Sequence, residues 1–138
     1  TAGDKPCVFR FQGWDIAPFI CYDLRFPAWL RKTMLAEQSN IPQCMLIVAN
    51  WPSVRIAAWD ALLKARAIEN QCYVLAVNRV GNDGKGIAHN GHSQALRFDG
   101  DYLMQPHERE GIAHVVLEKG PLEQFRAKFP FLNDADGF

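Results

Sequence analysis

The sequence predicts a mixed α/β sheet with helices on at least one face, and three observations carry that prediction. Two short apolar runs without alternation, residues 44–49 (CMLIVA) and 73–77 (YVLAV), read as strands covered on both faces. Each follows a segment of helical periodicity, so two crossovers join parallel strands by right-handed connections. Beyond residue 92 the pattern alternates and contains a hairpin turn, which continues the sheet in antiparallel fashion.

Each element has a local reason. Residues 7–11 alternate, Gln12-Gly13 is a turn signal, and residues 14–20 form a second apolar run, which together predict a β-hairpin. Pro27 opens a helix in whose first turn a missing N–H does no harm. Trp29, Leu30, Thr33, Met34 and Glu37 continue it at spacings of three and four, and Ser39-Asn40-Ile41-Pro42 ends it. Ser53 is the expected cap of a helix running to about Gln71. Its apolar stripe is Ile56, Trp59, Leu62, Leu63, Ala67 and Ile68, and Arg55, Lys64 and Asn70 are expected on the surface. Residues 81–86 (GNDGKG) read as a loop. Residues 92–98 and 101–104 pair across Asp99-Gly100, residues 111–117 form a last strand, and residues 121–128 a closing helix. Two helices cover one face only, so the other face awaits another sheet, another subunit or further chain.

Composition narrows the function. At 138 residues the chain is a single domain, 1–138, and 49% hydrophobic against 22% charged residues is the balance of a globular protein. Lys+Arg and Asp+Glu are 15 each, so no basic field exists to hold nucleic acid or anionic lipid. No apolar run approaches the roughly 20 residues of a membrane helix. Four cysteines without a C-x-x-C pair suit reduced thiols in a cytoplasmic protein. The chain begins Thr1-Ala2-Gly3 without an initiator Met, which reads as a processed, trimmed or partial product.

The chemistry concentrates at Cys21. An apolar strand ends there and a helix begins within six residues. Such a strand-to-helix bend displays a side chain at the carboxyl edge of the sheet, and N–H groups at the helix entrance favour a thiolate and face a developing oxyanion. Cys44 and Cys72 adjoin apolar strands and are expected in the core, and Cys7 in a strand. Of His89, His92, His107 and His114, His92 follows the loop and opens a strand towards the carboxyl edge, which makes it a candidate base of a self-contained Cys-His hydrolase, although spacing does not specify which histidine serves; His114 is expected inside a strand. His89 and His92 lack the further ligands zinc needs, and the glycine-rich turn matches no phosphate or calcium loop, so no metal or cofactor is expected.

Cys21-Tyr22-Asp23-Leu24-Arg25-Phe26-Pro27 resembles the nucleophile motif of the nitrilase superfamily of carbon–nitrogen hydrolases. Ala49-Asn50-Trp51-Pro52, Ala65-Arg66-Ala67-Ile68-Glu69-Asn70-Gln71, Val77-Asn78-Arg79-Val80-Gly81 and Gly91-His92-Ser93 follow in that family's order. Arg126-x-x-Phe129-Pro130-Phe131-Leu132-x-Asp134 is similar to the tail of its omega-amidase branch, from which His89 departs where an aromatic residue is expected. The resemblance implies an α-β-β-α sandwich and a Glu-Lys-Cys triad, in which Glu is the base, Lys stabilises the oxyanion and Cys forms a thioester. Cys21 is then the nucleophile and the Tyr22 N–H an oxyanion donor. Asn50, Trp51 and Pro52 line the pocket, and Arg25 or Arg55 grips a substrate carboxylate, unless these arginines pair with Asp23 or Asp60. The implied reaction releases ammonia from the terminal amide of small 2-oxo acids, and the implied assembly is a homodimer.

The family's Glu and Lys precede its cysteine by tens of residues. Only 20 residues precede Cys21, with one lysine (Lys5) and no Glu. The chain therefore reads as the C-terminal portion of a carbon–nitrogen hydrolase domain, about half of the sandwich, and as inactive by itself. The alternatives are a non-catalytic fragment that pairs with another chain, and the Cys-His hydrolase.

Overall fold

The computed structural model describes residues 5–36 and 41–135. The elements are β1 (Phe9–Phe11), β2 (Trp14–Ile20), α1 (Pro27–Met34), β3 (Cys44–Ala49), α2 (Ile56–Asn70), β4 (Tyr73–Asn78), β5 (Val80–Asn82), β6 (Ala88–Asn90), β7 (Ser93–Leu96), β8 (Tyr102–His107) and α3 (Lys119–Lys128). Six strands form one sheet in the order β1-β2-β3-β4-β7-β8, and β5 pairs with β6 apart from it. The central three strands are parallel, and β1, β7 and β8 join antiparallel, so the sheet is mixed as expected. Gln12 and Gly13 make the first hairpin turn with φ of +47° and +81°, the left-handed pair that matches strand twist.

Side chains alternate across the central strands and define two faces. Ala17, Phe19, Met45, Ile47, Val74 and Ala76 meet Leu30, Met34, Trp59, Leu63 and Ala67, so α1 and α2 cover the first face. The chain's own closing helix covers only the amino-end part of the second face. Leu122 and Phe125 of α3 join Cys44, Tyr73 and Phe98 at the amino ends of the parallel strands. Towards their carboxyl ends, Ile20, Val48 and Val77 sit side by side in register and are 67%, 47% and 56% exposed. The apolar runs are thus covered on both faces over only part of their length. Leu46, Leu75, Met104, Ala113 and Val115, with polar residues that include Gln94, His107 and Arg109, line an open pocket of about 520 Å³ on this side, and no cysteine lines it.

Several local expectations change. The predicted strand at 111–117 belongs to no sheet among the described residues, with Ile112 and Val116 90% and 78% exposed, and His114 is exposed rather than held in a strand. Alternation supplies one face of a strand, but a ladder needs a neighbour. Gly81 and Asn82 belong to β5, because Asp83 closes a hairpin by accepting the N–H groups of Lys85 and Ile87. Ser53 caps nothing with its side chain. A 3₁₀ turn over Ser53–Arg55 comes first, and the helix begins at Ile56. Ile68 is half exposed, whereas Asn70 is fully buried and donates to the Arg66 carbonyl. Cys7 precedes β1. Thr1-Ala2-Gly3, Glu37, Ser39 and Asn40 lie outside the described residues.

Helix α2 ends on Gln71 in the left-handed region (φ +45°), where the Gln71 and Cys72 N–H groups return to Ile68 and Ala67. Arg126 of α3 holds that end. Its guanidinium donates to the carbonyls of Gln71 (2.9 Å), Ile41 (3.1 Å) and Pro42 (2.8 Å). Replacing Arg126 with Met strands three acceptors, so we expect a loss of about 3–5 kcal/mol, read as a lower midpoint in urea denaturation. Arg126→Lys, a point charge with a different donor geometry, loses most of the same stability.

Candidate active site

Strand β2 runs straight into a 3₁₀ turn over Cys21–Arg25 that leads to α1. The junction residue is Cys21, with φ of +40°. A β-carbon in that region costs on the order of 1–3 kcal/mol and persists only where the surroundings impose it. Three contacts do so. The Asp23 carboxylate accepts the Ile20 N–H at 2.9 Å, the Phe26 N–H returns to the Asp23 carbonyl at 2.9 Å, and buried Arg66 of α2 donates to the Leu24 carbonyl at 2.8 Å. Leu24 itself is fully buried, which pins the turn to the core while Cys21 stays half-buried. The Tyr22 N–H lies in the first turn, where amides lack an intrahelical acceptor.

Cys21 opens on a cleft of about 370 Å³ lined by Tyr22, Arg25, Asn50, Trp51, Pro52 and Arg55. Cys21, Tyr22, Arg25, Asn50, Trp51, Pro52 and Arg55 therefore meet at one place, where the turn after β2 faces the turn after β3, whereas His92 does not join them. Parallel pairing explains this, since Ile20 and Val48 are register partners and both strands end at the same edge. The Arg25 guanidinium lies 4.6 Å above the Trp51 ring. Neither alternative carboxylate holds the arginines by the contacts seen: Asp23 serves the elbow, and the Asp60 oxygens bind His92 and Gln94. The cleft wall is cationic and contains no carboxylate and no lysine among the described residues.

The other thiols sit elsewhere. Cys44 and Cys72 are buried in the core as expected, and burial pushes the Cys44 thiol up to about 12 and Cys72 higher still, with Cys44 adding to the latter. His92 is held at Nδ1 by Asp60 at 2.9 Å, and it does not line the cleft. The Cys-His arrangement is therefore not what the chain builds. His89 is buried on β6 and stands apart from the cleft lining. Among the described residues, no three His, Cys, Asp or Glu side chains gather as a metal site, and no helix is long and apolar enough to cross a membrane.

Sequence reasoning missed two buried polar residues that shape the site, Arg66 and Asn78. Arg66 grips the elbow, and the Asn78 amide bonds the Trp51 backbone. Both stand inside motifs quoted above, but which backbone group each would meet depends on packing.

The carbon–nitrogen hydrolase family model matches residues 1–126. The chain is 42% identical over 139 residues to omega-amidase YafV of Escherichia coli (strain K12), covering 99% of this chain and 52% of that protein. It is 36% identical to a 2-oxoglutaramate amidase of Bacillus subtilis (strain 168), covering 97% of the chain and 50% of the relative. The crystal structure of XC1258 from Xanthomonas campestris, a CN-hydrolase superfamily protein with an arsenic adduct in its active site, superposes with a TM-score of 0.93 at 40% identity. That match covers 100% of this chain and 53% of XC1258. The chain thus spans about half the length of the relatives it matches, and its mixed sheet flanked by helices is consistent with the α-β-β-α sandwich of nitrilases. On the match of the family model and of these relatives, the chain belongs to the carbon–nitrogen hydrolase family.

Proposed function

We propose that the chain carries the nucleophile and part of the substrate pocket of an amidase acting on the terminal amide of small 2-oxo acids. The observation that supports this reading best is Cys21 at a strained bend, on the rim of a cleft with two arginines and no carboxylate. In the reaction, the Cys21 sulfur attacks the amide carbonyl carbon and the negative charge moves to oxygen, facing the Tyr22 N–H. Collapse breaks the C–N bond, the nitrogen leaves protonated as ammonia, and a thioester remains. Water then adds to the thioester carbonyl, the C–S bond breaks, and the acid and the free thiol are released. Arg25 holds the substrate's carboxylate, with Asn50, Trp51 and Pro52 forming the wall. The general base and the oxyanion lysine come from outside the described residues. The names of the relatives, omega-amidase and 2-oxoglutaramate amidase, support the substrate class. The same reading includes a cytoplasmic homodimer.

Protection of Cys21 from alkylation tests this. A 2-oxo acid bearing a terminal amide should slow iodoacetamide modification of Cys21 saturably, and an aliphatic amide of equal length without the carboxylate should not. Equal protection by both overturns the 2-oxo acid assignment, and protection by neither overturns the amidase site. A second reading, a non-catalytic chain that pairs with another polypeptide, is favoured by the exposed stripe of Ile20, Val48 and Val77. Protection by the amide decides against it.

A further inference from the structure

We propose that Asn78 is a positioning residue that sets the anion selectivity of the Cys21 cleft by fixing Trp51, and through it Arg25. The proposal rests on the reading that Arg25 receives a substrate carboxylate. Asn78 is the last residue of β4 and the register partner of Ala49, the last residue of β3. Beyond that pair the β3 backbone leaves the ladder, and the Asn78 side chain takes over from the main chain. Its Oδ1 accepts the Trp51 N–H at 2.6 Å, and its Nδ2 donates to the Trp51 carbonyl at 3.1 Å. One amide thus reproduces the donor and acceptor that a neighbouring strand would offer. The second Nδ2 proton reaches the Gly91 carbonyl at 2.7 Å, which ties the turn after β3 to the β6–β7 turn. Asn78 is only 5% exposed, so these bonds have little competition from water.

What Asn78 holds is the part of the wall that carries charge. Trp51 is 2% exposed, its indole N–H donates to the Arg55 carbonyl at 2.8 Å, and its ring supports the Arg25 guanidinium at 4.6 Å. A cation resting on an aromatic face is drawn to it by about 0.5–1 kcal/mol, so moving the ring moves the favoured seat of the guanidinium. Releasing the Trp51 backbone therefore moves Arg25 from the cleft while leaving the Cys21 elbow, whose own contacts run to Asp23 and Arg66, in place.

The test uses the full chain with Cys7→Ser, so that Cys21 is the one accessible thiol. The rates of Cys21 modification by iodoacetate and by iodoacetamide are measured, and their ratio reports how strongly the cleft draws an anion. Arg25→Ala should lower the ratio roughly fivefold, the size of one lost charge contact in a wet cleft. Asn78→Ala and the near-isosteric Asn78→Leu should lower it as much, with the iodoacetamide rate little changed. General loosening of the fold would move both rates together. An unchanged ratio in the Asn78 variants, with Arg25→Ala lowered, overturns this inference and leaves the substrate reading standing. An unchanged ratio in Arg25→Ala overturns both. Should the Asn78 variants fail to fold, amide hydrogen exchange in the unaltered chain decides. A protected Trp51 N–H supports the staple, and exchange as fast as in a free peptide sinks it.

Discussion

Iodoacetamide added to the folded chain should modify Cys21 and Cys7 while Cys44 and Cys72 stay untouched. The thiolate is the reacting species, so two factors separate the four sites. The first is protonation. Burial pushes the Cys44 thiol up to about 12, and Cys72 is raised further. Against an ordinary thiol near 8.5, the Cys44 value lowers the thiolate fraction at neutral pH by about 10³-fold. The second is access, since Cys44 and Cys72 are 1% and 0% exposed whereas Cys21 faces the cleft. Peptide mapping after partial alkylation should show the two core thiols reacting at least about 10³-fold more slowly than Cys21. In denaturing urea all four should label alike. If Cys21 instead lags with the core pair in the folded state, it is no displayed nucleophile, and the amidase reading falls with it.

The Cys21 elbow was legible because it is local: an apolar run, a nucleophile and a Pro-initiated helix lie within a few residues of one another. The same holds for the hairpin at Gln12-Gly13, the turn at Asp99-Gly100 and the parallel strands β3 and β4, whose composition reports their burial. What stayed illegible depends on partners distant in sequence. Residues 111–117 carry a strand pattern, yet no described strand lies alongside. Asn70 read as surface and is 0% exposed, because it reaches a carbonyl of its own helix, and Arg66, 4% exposed, reaches a carbonyl of the elbow. Part of the second sheet face is covered by α3, which the sequence placed at the end of the chain without saying where it docks. Asn78 shows the limit most clearly. Its position in a motif was plain, but its pairing with a backbone 27 residues away arises only from parallel register.

On the proposed reading, turnover by the 138-residue chain on its own should be almost absent, and the cleft lining supports that expectation. Among the described residues its wall offers a thiol, backbone amides and guanidinium groups, but no carboxylate to take the thiol's proton and no lysine to meet the oxyanion. Two carboxylates of the neighbouring segments serve structure: Asp23 holds the Ile20 N–H, and Asp60 binds His92 and Gln94. A positioned general base contributes about 10²–10⁴-fold and one oxyanion donor about 10²–10³-fold, and the two losses do not simply multiply. Taking only the oxyanion donor, an enzyme of ordinary speed near 10 s⁻¹ falls to about 10⁻¹–10⁻² s⁻¹. Ammonia release from a terminal 2-oxo acid amide, followed with purified chain and with Cys21→Ser as the blank, measures this directly. Release within about tenfold of ordinary enzyme rates would mean that this chain contains its own base, and the triad assigned here would have to be replaced. A Glu and a Lys supplied on a second polypeptide should raise the rate only when Cys21 is intact, because the thioester can form on no other accessible group of the cleft.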